Sequence, residues 1–289
     1  MPTSKGDVST IVVGVGYVGR RLLNALAKKT SIGLSRSVDD TTGRMRKLDL
    51  DIDEAISVAP SHDYAVVYTV PPAWDKHDDH RLQRFLRLLK RAPRRFVYLS
   101  TTGVYGNRNG AVVDETATVA PESERAERRA SAERELRTFS EQNNVELIIL
   151  RVPGIYGPGR LGIERIRDGQ PVLHDADANP GNRIHVDDLV ACCVAALAAV
   201  VPAGVYNVGD GDDRTSTWFA LEVARQLGLE PPPTISRKTA EGTFSTRRLS
   251  FLRESRRLDL SKMRNTLKPE MKYSNAEDGI AASLKEENM

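Results

Sequence analysis

The sequence predicts an α/β protein in which helices cover both faces of a doubly wound parallel sheet, with a smaller C-terminal lid. Three observations predict this class. Residues 10–13 form a short β-branched strand that runs into a glycine-rich turn and then a helical pattern. Strand-like and helix-like segments alternate along the chain, which implies right-handed crossovers between parallel strands. Residues 64–70 form an apolar run, as expected for a strand buried on both faces.

The turn after the first strand carries glycines at positions 14, 16 and 19. Gly14 permits the tight turn, Gly16 lets the backbone approach a pyrophosphate, and Gly19 lets the following helix pack closely against the strand. The diphosphate would lie over the free N–H groups at the start of that helix, beside Tyr17 and Val18. The motif predicts a dinucleotide site of the Rossmann type, and the alternative is a turn with a structural role only.

The remaining elements follow in the order that this class requires. Strands are predicted at residues 31–35, 46–50, 64–70, 96–100, 145–150 and 205–208, and helices at residues 78–91, 123–141 and 187–200. A further helix is predicted to begin at the N-cap Thr215 and to stop at Gly228. We expect a dinucleotide-binding domain of residues 1–160 and about 182–210, and a substrate lid of residues 161–181 and 211–289.

The residues after the second and third strands bear on the choice of cofactor. An NAD site usually places an acidic residue after the second strand to hold the ribose hydroxyls. This chain instead has Ser35 and Arg36 there, and a guanidinium suits a 2′-phosphate. The sequence therefore favours NADP(H) over NAD(H), although a surface arginine is the alternative. Asp49 and Leu50 are expected at the adenine edge, where a loop carboxylate is an equally simple explanation for Asp49.

The composition excludes several classes of function. The formal charge of +3 arises from 42 basic and 39 acidic residues, so the charge balance gives no argument for nucleic acid as a partner. No apolar run approaches the length of a membrane span and no secretory signal is recognised. The two cysteines, Cys192 and Cys193, exclude a disulfide framework and supply too few ligands for a metal. We expect a cytoplasmic protein with a small-molecule substrate; the oligomeric state stays open, with a homodimer as one candidate.

Several motifs together resemble one family. They are the glycine turn and residues 100–106, 150–159, 183–188 and 205–209, which occur in the same order in the extended short-chain dehydrogenase/reductases. That family includes NAD(P)-dependent sugar epimerases and dehydratases. The strand end at residues 68–72 is similar to an atypical bacterial branch that is often described only as epimerase-like. The resemblance covers nearly the whole chain.

The resemblance implies roles for particular residues. It places Thr101 at the family's catalytic Ser/Thr, with Thr102 beside it. Tyr105, Arg160 and Arg183 are implied at the substrate site. Further cofactor contacts are implied at Val70, Pro71, Ser100, Pro153 and Ile155. In this family the C-terminal region reaches over the cleft, so Arg247, Arg248 and Arg253 either meet an anionic substrate or lie in a solvated loop.

The long helix departs from the family at its reaction centre. The family uses a Tyr-x-x-x-Lys pair to move a proton, but no tyrosine occurs here between Tyr105 and Tyr156. Alignment on Glu133 places Arg125 at the tyrosine position and Arg129 at the lysine position. A guanidinium keeps its proton at any working pH, so these arginines either hold a substrate carboxylate or phosphate or form surface salt bridges.

Two functions follow from this departure. The first is an NAD(P)(H)-dependent epimerase, dehydratase or reductase that uses a non-standard proton donor, such as the substrate, water or Thr101. The second is a sensor or scaffold that binds NADP(H) and has lost catalysis. The strand-end and lid motifs favour the enzyme.

Overall fold

The computed structural model describes residues 9–26, 30–38, 43–52, 63–74, 78–273 and 275–287. In chain order, the strands are β1 (Thr10–Val13), β2 (Ser31–Ser35), β3 (Met45–Lys47), β4 (Ala65–Tyr68), β5 (Arg95–Thr101), β6 (Val112–Val113), β7 (Glu146–Val152), β8 (Gly154–Tyr156), β9 (Val172–Leu173), β10 (Arg183–His185), β11 (Gly204–Asn207), β12 (Thr234–Ile235) and β13 (Arg257–Leu258). The α-helices are α1 (Tyr17–Ala25), α2 (His80–Leu88), α3 (Glu124–Asn143), α4 (Ile163–Arg167), α5 (Val186–Ala196), α6 (Ser216–Leu227), α7 (Arg237–Thr243), α8 (Thr246–Arg253) and α9 (Ala276–Glu287).

Seven of the described strands form one sheet in the order β11-β7-β5-β4-β1-β2-β3. Every neighbouring pair in it is parallel. Helices α1 and α5 pack on one face, and α2 and α3 pack on the other. The order reverses between β1 and β4, so the carboxyl ends of these strands border a crevice in which α/β sheets bind ligands. The predicted doubly wound sheet is confirmed.

The lid has a small core of its own. Helices α4, α6 and α9 bury Ile166, Val223 and Ile280 against Tyr156 of β8. Helix α6 begins where the Thr215 hydroxyl accepts a hydrogen bond from the Trp218 amide, and Gly228 ends it in the left-handed conformation, as the sequence predicts.

Two helices are shorter than expected, for identifiable reasons. Helix α2 begins only at His80, because Asp79 accepts a hydrogen bond from the Leu82 amide and caps it there. Helix α5 ends at Ala196 rather than near residue 200. The buried Arg95 guanidinium donates to the carbonyls of Ala196, Ala198 and Val201, and these bonds satisfy the oxygens that would otherwise continue the helix. Within the described ranges, no helix has the length and apolarity to cross a bilayer.

Candidate active site

A cleft of about 570 Å³ lies at the carboxyl ends of β1, β2 and β4. The glycine loop forms one wall, and Val70, Pro71, Ser100 and Ile155 lie around it. Tyr17 and Val18 also line the cleft, because helix α1 begins there. This is the geometry that places an anion at a helix N-terminus.

The three glycines meet different surroundings. Gly14 has a φ of +93°, and a Cβ there would press on Thr69 and Val70. A Cβ on Gly19 would overlap the carbonyl oxygen of Gly14, so the contact between strand and helix requires its absence. A Cβ on Gly16 would find no atom within 4 Å. The wall of the cleft therefore has free space at Gly16. This space would let a pyrophosphate approach the backbone closely.

The end of the cleft beside β2 contains two charged residues that the sequence did not single out, Asp51 and Arg81. Arg36, at the end of β2, lies with its Nη1 3.4 Å from Asp51. Arg81 of α2 holds the same carboxylate through Nε at 2.5 Å and Nη2 at 2.7 Å. These hydrogen bonds lower the pKa of Asp51 below its usual value. Asp49, expected at the adenine edge, instead uses its carboxylate to accept a hydrogen bond from the Asp51 amide.

Helix α3 brings Arg129 to the cleft wall. Its Nη1 donates to the Leu99 carbonyl at 2.8 Å and to the Tyr98 hydroxyl at 3.1 Å, and burial raises the pKa of Tyr98 to about 12. Arg125 lies one turn earlier and is partly buried. The residues of α3 include neither tyrosine nor lysine.

A buried ion pair fixes the helix beside the cleft. Glu133 accepts two hydrogen bonds from Arg151, at 3.2 and 2.8 Å, and both side chains are almost fully buried. The Ser100 hydroxyl donates to the same carboxylate at 2.6 Å. Ser100 therefore lines the cleft while its hydroxyl is engaged with Glu133.

Thr101 and Thr102 are not among the residues that line this cleft. The Thr101 hydroxyl accepts a hydrogen bond from the Gly103 amide at 3.2 Å, and Thr102 is buried. Tyr105, expected to contact substrate, is fully buried and donates its hydroxyl to the side chain of Asn207. A packing role accounts for the Tyr105 side chain in this conformation.

A second cavity, of about 380 Å³, is bordered by strands β8 and β10 and by helices α4, α6 and α8. It shares Ile155 and Arg160 with the first cleft, so these two residues border both spaces. Arg160 lies 3.9 Å from the centre of the Tyr17 ring. Pro153 lies between Val152, which lines the first cleft, and Gly154, which lines the second.

Arg183 lies on the wall of this lid cavity and is buried. It donates to the carbonyls of Arg214 and Thr215, and its Nη1 is 3.7 Å from Asp212. Burial lowers the pKa of Arg183 and raises that of nearby Asp210 to about 7. Of the basic lid residues, Arg248 lines the cavity, Arg253 is exposed, and the Arg247 side chain lies outside the described residues.

Comparison with known proteins supports the fold and the dinucleotide cleft. The model of the NAD dependent epimerase/dehydratase family matches residues 10–209. The protein YeeZ of Escherichia coli is 27% identical over 242 residues, 76% of this chain and 84% of that protein. Human dTDP-D-glucose 4,6-dehydratase is 24% identical over 141 residues, and the chain spans only 40% of that enzyme's length in this match.

Solved structures agree over nearly the whole chain. A conserved protein of unknown function from Silicibacter pomeroyi DSS has a TM-score of 0.80 at 26% identity, over 98% of this chain and 100% of that one. MoeE5 in complex with UDP-glucose and NAD has a TM-score of 0.73 at 21% identity, over 96% and 97% of the two chains.

Proposed function

The chain belongs to the NAD-dependent epimerase/dehydratase family, and from this premise we propose that it is an enzyme that prefers NADP(H) and acts on a small anionic substrate held in the lid cavity. The junction of the two cavities at Ile155 and Arg160 carries this proposal. A cofactor in the cleft and a substrate under the lid would meet there. When bound, the nicotinamide supplies or accepts a hydride.

The residues of the cleft fit such a cofactor. The open space at Gly16 and the start of α1 provide a cradle for a diphosphate. Arg36 and Arg81 provide positive charge where a ribose 2′-phosphate would lie. Arg160 is a donor that can orient a substrate oxygen at the junction, but it cannot give up its proton. The proton must therefore travel by the substrate itself, by water or by the Thr101 hydroxyl.

Binding of NADPH to a Gly16→Val variant tests the cofactor site. Because a Cβ at Gly16 would find no protein atom within 4 Å, we expect the variant to fold and to lose dinucleotide binding. A Cβ on Gly242, in helix α7, would likewise find no atom within 4 Å, so Gly242→Val is the matched control and should bind NADPH normally. Measurement of NADPH fluorescence together with thermal unfolding gives both readouts. Normal binding by folded Gly16→Val would contradict the site.

The second candidate function is a sensor or scaffold, which the tyrosine-free α3 favours. Hydride transfer separates the two. Oxidation of NADPH with small anionic carbonyl compounds, or reduction of NADP⁺ with the corresponding alcohols, would support the enzyme. An epimerase or dehydratase returns the hydride to its product, so chromatography of the same panel must also show whether epimers or dehydrated products form. Tight NADPH binding with neither cofactor turnover nor such products would support the sensor.

A further inference from the structure

Three arginines at the lid cavity have no carboxylate partner within the described part of the chain. They are Arg160, Arg165 and Arg248, and the described residues that line the cavity include no aspartate or glutamate. Arg183 lines the same cavity but has Asp212 near its guanidinium. Positive charges gathered around a concave space repel one another unless an anion joins them. The cavity therefore has an unbalanced positive charge.

Two of these arginines come from different helices and line the same cavity. Arg165 is on α4 and Arg248 is on α8. Arg248 is held in place, because its Nη2 donates to the Pro171 carbonyl at 2.7 Å and its guanidinium lies 3.5 Å from the centre of the Phe244 ring. Burial, and then the charge of Arg165, lower the pKa of Arg248. The two cations therefore lie within range of each other's charge.

The size of the cavity limits what it can hold. Its volume of about 380 Å³ is two-thirds of the 570 Å³ of the dinucleotide cleft, since 380/570 is 0.67. A sugar or a short carbon chain with one phosphate would fit within this space. A sugar joined to a nucleoside diphosphate is nearly as large as a dinucleotide and would extend beyond it. Phe219, Ile166 and Leu173 supply an apolar wall for the carbon skeleton.

We propose that the lid cavity binds a compact phosphate monoester, with the phosphate held between Arg165 and Arg248 and the reacting end directed toward Arg160. A phosphate monoester carries about −1.5 to −2 charges at neutral pH, which balances two guanidinium groups, whereas a carboxylate balances only one. Arginine also matches phosphate geometry with paired N–H donors. The inference rests on the proposed function, because it names the substrate class for the same site.

The test measures the binding of inorganic phosphate and of glucose 6-phosphate by calorimetry, in wild type and in Arg165→Gln. Loss of one charged hydrogen-bond pair should weaken both about tenfold or more. Arg167→Gln is the matched control, since Arg167 is on the same helix, exposed, paired with Glu164 and outside the cavity lining. It should bind phosphate as wild type does. Arg248→Gln should behave like Arg165→Gln, and thermal unfolding shows whether loss of its bond to Pro171 disturbs the lid.

Two results would overturn the inference. One is equal phosphate affinity in wild type and folded Arg165→Gln. The other is Arg165-dependent binding of UDP-glucose that is tighter than that of glucose 6-phosphate, because this would assign the arginines to a nucleotide diphosphate. NADPH titration of the same samples keeps the proposed function separate. Normal NADPH binding without Arg165-dependent phosphate binding removes only the substrate class, whereas failure of wild type to bind NADPH removes the proposed function.

Discussion

Replacement of Arg36 by alanine should reduce the preference for NADPH over NADH about tenfold. A hydrogen bond to a charged group contributes about 1.5 to 3 kcal/mol, and about 1.4 kcal/mol corresponds to a factor of ten in affinity. The lower end of this range applies here. The Arg36 side chain is 69% exposed and already lies 3.4 Å from Asp51, so solvent and a competing carboxylate both weaken its contact with a 2′-phosphate.

The same geometry predicts that removal of the Asp51 charge strengthens NADPH binding. Asp51 neutralises the two arginines that would face the 2′-phosphate, Arg36 and Arg81. Asp51→Asn should therefore tighten NADPH binding severalfold and change NADH binding little, because NADH places no phosphate there. Both effects should shrink at high salt, where the charges are screened.

Fluorescence titration of both cofactors at fixed ionic strength measures these ratios. Arg46→Ala is a suitable control, because Arg46 lies on the neighbouring strand β3 and bonds to the carbonyls of Gly43 and Met45. Its removal lowers the net charge equally and should leave the ratio unchanged. The reasoning is refuted if wild type binds the two cofactors equally, or if Arg36→Ala keeps the wild-type ratio. A preference for NADH would instead assign Asp51 to the ribose hydroxyls.

Three other outcomes are expected. Glu133→Gln should lower the free energy of unfolding by about 3 to 5 kcal/mol, because Arg151 would keep a buried charge without its partner. Urea unfolding measures this change, and a decrease in that free energy of less than about 1 kcal/mol would contradict the prediction. The double variant Arg125→Tyr with Arg129→Lys should not raise turnover with any substrate that wild type accepts, and a substantial gain would indicate a damaged reductase. Since the pKa of Asp210 is raised to about 7, the folded state binds the extra proton and the free energy of unfolding should fall as pH rises from about 4 to 7; Asp210→Asn should flatten that fall.

The sheet could be predicted from the sequence because its signals are local. The strand of residues 31–35 is confirmed at its predicted bounds, and the glycine turn identifies the first crossover. The ends of helices are predicted less accurately where residues distant in the sequence determine them. Arg95 bonds to carbonyls about a hundred residues further along the chain and ends α5, and no pattern within α5 itself contains that information.

The site was predicted in part for the same reason. The sequence could identify the glycine loop and Arg36 as part of the site, because each directly follows a predicted strand. It could not identify the pair of Asp51 and Arg81. These two residues are thirty positions apart and meet only when α2 packs beside the end of β3. An acidic residue in a loop and a basic residue on a separate helix give no sequence signal that they form a pair. Arg165 and Arg248 are likewise brought to one cavity only by the arrangement of the lid.

Helix α3 shows what an alignment on one residue can and cannot establish. Residues 125, 129 and 133 are four apart, so they share one face of a helix. Glu133 contacts Ser100, and Arg129 contacts Leu99, so this face is turned toward the end of β5 beside the cleft. The spacing thus predicts which side chains lie on this face, although it does not predict the role of each one. Glu133 is engaged by Arg151 in a structural ion pair, whereas Arg129 reaches the cleft with a charge that cannot be transferred as a proton. Glu133 therefore packs this face of α3 against β5, and Arg129 on the same face brings a fixed positive charge to the wall of the cleft.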